Sequence, residues 1–222
     1  MTCQPPTWIA SVLETGVPAY PNYDAPISDW HPTVFKSAFI ALHPFGRGKT
    51  PVSWGEVASA VGLSVGRLNR GLLTWAGALR AEFQDSDAAA RLSAYCQLSG
   101  LDAPIDGALP PAWTPVVVAF FQSAGADQLL LRDEFGQALS SCSALAETLD
   151  LSLGRIHRRG AIFSAVPGVL ASVDWDSFFT LFLAPRSQLA ALSRVVEGFV
   201  CATDTKHFWN ATPEGNLVAT AG

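Results

Sequence analysis

Apolar residues recur along this chain in short runs broken by proline, glycine and serine, and most runs carry helical spacing rather than strict alternation. Trp30–Leu42 reads as a helix with Pro32 in its first turn. Ser53-Trp-Gly-Glu56 is a capping box that opens a helix to about Val61. Gly62 ends it, and Ser64 caps a second helix running to about Phe83. Further helices are expected over 87–98, 114–123, 129–139, 143–149, 153–165, 169–183 and 187–201. The last carries Leu189, Leu192, Val196 and Val200 at helical spacing. Little reads as strand, beyond short pieces near 116–121. The pattern predicts a mostly α protein.

One short pattern occurs twice. Residues 57–70 and 145–158 agree, by identity or by exchange among Val, Leu and Ile, at ten of fourteen positions, at an offset of 88. A repeat governs how a chain is divided. A Pro-rich arm is expected over 1–29, a first helical repeat domain over 30–98, a linker over 99–112, a second repeat domain over 113–203 and a tail over 204–222.

Each copy has the spacing of two short helices joined by a tight turn, and resembles the helix-turn-helix of DNA-binding proteins. Ala58 and Gly62 stand where that family has its small packing residue and its positive-φ residue, with Val57, Val61, Leu63 and Leu68 as the apolar set. In the second copy Ala146 and Asp150 take those places, with Leu145, Leu149, Leu151 and Ile156 around them. The resemblance implies two tandem helix-turn-helix, or winged-helix-like, pseudo-repeats. It makes Ser64 and Ser152 the caps of recognition helices that present Arg67, Asn69 and Arg70, and Arg155, His157, Arg158 and Arg159. Arginine and asparagine bond base edges and phosphates. Two such helices in one chain could serve two half-sites about one DNA turn, roughly 34 Å, apart.

Charge sharpens this expectation. The net charge is −5, so no global basic field attracts nucleic acid. Residues 64–81 and 151–173 each hold three arginines and no acid, which leaves two basic segments on an acidic body. Two partners are therefore expected as alternatives. One is double-stranded DNA, read by a repressor or a plasmid- or phage-type regulator. The other is a protein, bound by an interaction module that acts as an inhibitor or immunity-type factor.

Gly62-Leu-Ser-Val-Gly66 also matches the GxSxG elbow of serine hydrolases, which requires a strand before the serine. A capped helix is expected there instead, and the serine recurs in the second copy, so no enzyme is expected. Cys3, Cys96, Cys142 and Cys201 form no CxxC pair, and the four histidines show no ligand spacing. No metal or cofactor is implied. The chain, 49% hydrophobic, can bury a substantial core, and Trp30, Trp54, Trp75, Trp113 and Trp175 are expected within it. No apolar run is long enough for a membrane helix, and a cytoplasmic location is expected.

Overall fold

Ala38–Leu42 (β1) is buried at all five positions, with Phe39 and Ala41 in one core and Ala38, Ile40 and Leu42 in another. A strand whose two faces are both covered has no polar side to alternate with. The same holds for Gly160–Ser164 (β6), Leu170–Val173 (β7) and Phe179–Leu183 (β8), buried along their whole length. The computed structural model describes residues 26–27, 37–133, 139–164, 166–173, 177–202, 205 and 217–218.

These strands join Gln128–Arg132 (β4), Leu139–Ser143 (β5), Gly198–Val200 (β9) and Leu217–Val218 (β10) in one eight-stranded sheet of order β10-β9-β1-β8-β7-β6-β4-β5. Every pairing is antiparallel. β1 lies between β8 and β9, so the sheet draws strands from both halves of the sequence. A separate hairpin pairs Phe45–Arg47 (β2) with Thr50–Val52 (β3).

Six α-helices flank the sheet among the described residues. Trp54–Val61 (α1), Val65–Trp75 (α2) and Ser86–Ser99 (α3) cover one face, where Trp54, Val57, Leu68, Leu72 and Leu92 pack with Ile40, Leu181 and Phe163. Thr114–Ser123 (α4), Ala146–Arg155 (α5) and Arg186–Leu192 (α6) cover the other, where Val117, Phe121, Leu149, Leu153 and Leu189 pack with Phe39, Leu131, Ile162 and Phe182. α5 carries the chain from β5 to β6, and α6 from β8 to β9. Each crossover spans a strand inserted between those it links, β4 and β1 respectively.

The mostly α, tandem helix-turn-helix architecture is therefore corrected to three layers, helices on either side of an antiparallel sheet. The expected helices over 129–139 and 169–183 contain β4, β7 and β8, and 187–201 divides into α6 and β9. Their apolar runs satisfy a buried strand and a buried helix equally well, so periodicity alone cannot separate the two. Of the helix expected over 30–42, residues 38–42 are β1, and 30–36 lie outside the described residues.

The stretch 99–112 is stitched to its surroundings. Asp102 exchanges backbone bonds with Gly46, Gly107 N–H donates to Ser177 O, and Leu109 N–H donates to Arg158 O. Trp54 and Trp113 are in the core as expected, whereas Trp75 is 43% exposed. Trp30 and Trp175 lie outside the described residues, as does most of 1–29 and of 204–222. No helix among the described residues is long and apolar enough to cross a membrane.

Candidate functional site

The first copy of the repeat does fold as helix, turn, helix. Ser53 Oγ accepts from Glu56 N–H at 3.0 Å, and α1 ends at Gly62, whose φ of 64° suits a residue without Cβ. Ser64 Oγ then accepts from Arg67 N–H at 3.2 Å, the N-cap bond the sequence implied, and α2 follows.

Arg67, expected on the recognition helix, is engaged by acids of the same chain. Arg67 Nε donates to Asp85 Oδ2 at 2.8 Å, and its Nη2 donates to Asp85 Oδ1 and Asp87 Oδ2, both at 3.1 Å. This is the bidentate fork that fixes a guanidinium in place. Asp85 is itself the cap of α3, accepting from Ala88 N–H at 3.0 Å. The Arg67 guanidinium and that N–H hold its carboxyl below the usual carboxylate range. Asn69 is 3% exposed and packs inward, and Arg70 is half-buried. Arg91 Nη2 donates to Val61 and Gly62 carbonyls at the end of α1, tying α3 to the turn.

The second copy takes a different shape. α5 runs unbroken through Asp150, Leu151 and Ser152, so the implied turn and the Ser152 cap are both absent there. The stop falls instead at His157 and Arg158, with φ of 53° and 61° and a bond from Arg158 N–H to Leu153 O at 2.7 Å. Non-glycine residues at positive φ store backbone strain and need surroundings that hold them. Arg158 is so held. Nε donates to Leu109 O and Nη1 to Asp150 Oδ1, both at 2.6 Å, and Nη2 donates to Thr114 Oγ1 at 2.8 Å. The Arg158 guanidinium draws the Asp150 carboxyl below its ordinary range. Arg159 is partly buried, while Arg155 and His157 are exposed.

The two copies also lie on opposite faces of the sheet, since Leu68 and Leu72 belong to one core and Leu149 and Leu153 to the other. Ser64, Arg67, Asn69 and Arg70 are therefore not brought together with Ser152, Arg155, His157, Arg158 and Arg159. The two sets do not share one face of the sheet. Ser64 stands after a helix rather than a strand, which is not the setting of a nucleophile elbow.

Sequence reasoning missed two polar nodes. His43 is fully buried at the end of β1. Its Nδ1 donates to Ile105 O at 2.7 Å, and Thr180 Oγ1 lies 3.0 Å from Nε2. A carbonyl can only accept, so the proton sits on Nδ1 and the threonine hydroxyl donates to Nε2. Burial lowers its pKa to about 4. The ring stands edge-on to Trp113, and the His43 carbonyl accepts from the Trp54 indole at 2.8 Å, so one residue joins both helical layers to the sheet. Glu197 is the second node. Its carboxylate accepts from Trp54 N–H at 2.5 Å and Gly55 N–H at 2.9 Å, placing a negative charge on the free N–H groups that open α1. Neither had a local signal: the partners of Glu197 are more than 140 residues away in sequence.

Thr180 and Arg158 also border a cavity of about 10 Å³ lined chiefly by Leu109, Leu153, Ile162 and Val173. That is room for about one water. Among the described residues no group of His, Cys, Asp and Glu could hold a metal ion. Cys96, Cys142 and Cys201 are free thiols whose pKa burial raises, to about 12 for Cys201, so they stay protonated at neutral pH.

Fold and sites together define a three-layer αβα protein in which Arg67 and Arg158 brace the helices. Residues 47–211 match the family described as "Protein of unknown function (DUF2711)", and the chain belongs to it. Neither the curated proteins nor the solved structures contain a match to the chain.

Proposed function

We propose that this chain is a non-enzymatic protein-binding module of the inhibitor or immunity kind. The clamp on Arg67 carries the reading: the side of α2 that would enter a major groove spends its arginine on the cap of α3 and turns its asparagine into the core. Leu98, Leu145, Leu151 and Val195, spread over more than one element, stand exposed by 57% or more and are accessible to a partner.

Affinity capture from the source cells tests the reading with the full chain and an Arg67→Ala variant. The expected result is a protein partner that resists nuclease and is retained by both. Recovery that nuclease abolishes, recovery that Arg67→Ala abolishes, or nothing above the bead control would overturn it.

A further inference from the structure

Among the described residues α5 is the outermost helix of its layer, lying over β4 and β5 at the sheet edge. Its solvent side carries Glu147, Leu151 and Arg155, all exposed, at spacings of four residues. At about 100° per residue these positions form one stripe. Leu149 and Leu153 bury on the opposite side, since Leu151 lies roughly 200° around the helix from Leu149. Leu151 is 72% exposed, an unusual state for a leucine at the centre of a helix face. Asp150 is off the stripe, on the flank toward α4, where Arg158 and Thr114 engage it.

The stripe reads acid, leucine, base. A two-fold rotation about an axis through Leu151 reverses that order. It sets Leu151 on Leu151 and brings each Glu147 opposite an Arg155, so the face is complementary to itself. The alternative, parallel approach would set Glu147 against Glu147 and Arg155 against Arg155. We propose that a second copy of this chain docks antiparallel on α5, with Leu151 at the centre of the contact and two Glu147–Arg155 ion pairs flanking it. This rests on reading the chain as a protein-binding module and names the partner for one of its faces. A single helix pair buries less than the roughly 1,200 Å² of a standard interface, so the dimer is concentration-dependent.

Sedimentation velocity on the full chain, at concentrations up to on the order of 100 μM, tests the proposal. The wild type is expected to move from 23.5 kDa toward twice that mass as concentration rises. Glu147→Arg and Arg155→Glu each place like charges face to face, and each should weaken the dimer at least about tenfold. The double variant, Glu147→Arg with Arg155→Glu, restores opposite charges and should restore dimerisation. All three side chains are exposed, so circular dichroism should show the fold unchanged. A wild type that stays monomeric throughout overturns the second copy, as do single variants that dimerise normally or a double variant no better than the singles. A monomer that captures a different protein through Leu151 also overturns it, while leaving the protein-binding reading in place. Nuclease-sensitive capture sinks that reading but not the dimer.

Discussion

Gly198→Ala is expected to destabilise the protein by on the order of 4 kcal/mol, near the upper end for a single substitution. A Cβ at Gly198 would lie 2.0 Å from the Ile40 carbonyl oxygen and 2.7 Å from the Phe39 ring. The obstruction on one side is backbone, which cannot rotate away, and it belongs to the strand that Gly198 pairs with. Relief requires β9 to move off β1, which also disturbs the Glu197 carboxylate at the start of α1, one residue earlier. Urea denaturation of the variant and the wild type measures the difference. A change under about 1 kcal/mol would contradict the pairing of Gly198 with Ala41 of β1.

The second large effect is loss of stability in mild acid. His43 titrates near 4 in the fold and at 6.5 when free. Between those values the unfolded chain binds the proton and the folded chain does not, so stability rises with pH. The His43 contribution is complete above pH 6.5, falls as the pH drops, and is fully lost below about 4. A shift from 6.5 to about 4 corresponds to about 3 kcal/mol. Asp85 and Asp150, whose carboxyls are held below their ordinary range, add a separate loss that sets in around pH 3.8 and grows below it. His43→Gln should flatten the upper window and leave the lower one. Its amide oxygen, as far from Cβ as Nε2, can still accept from the Thr180 hydroxyl, though the bond to Ile105 O is lost and the protein will be less stable overall. A wild type whose stability is flat from pH 6.5 to 4 would contradict the burial described for His43.

The helical punctuation was legible because it is local. Ser53, Gly62 and Ser64 act within four residues of themselves, and α1 and the start of α2 fall where they put them, while α3 and α4 lie within a residue of their expected spans. The sheet was not legible. Phe179–Leu183 is FTLFL and Ala38–Leu42 is AFIAL, apolar on both faces but for the buried Thr180, because two helical layers cover them. The likeness between 57–70 and 145–158 is real in sequence, yet one glycine separates the outcomes. Gly62 turns the chain at positive φ, whereas Asp150 stays helical and the turn moves to His157 and Arg158. Tertiary partners that only the fold supplies decide this: Asp85 and Asp87 for Arg67, and Leu109, Asp150 and Thr114 for Arg158. Identical residue types thus became braces on two different faces. Arginine in a helix shows that a guanidinium is present, not which way it is spent.

Titration of labelled duplex DNA of mixed sequence with the purified full chain at low salt, followed by fluorescence anisotropy, tests this most directly. Low salt favours any phosphate contact. With Arg67 and Arg158 engaged inside the protein, no binding is expected beyond that of an unrelated protein of the same net charge. Salt-dependent binding that weakens on Arg67→Ala or Arg155→Ala would contradict it.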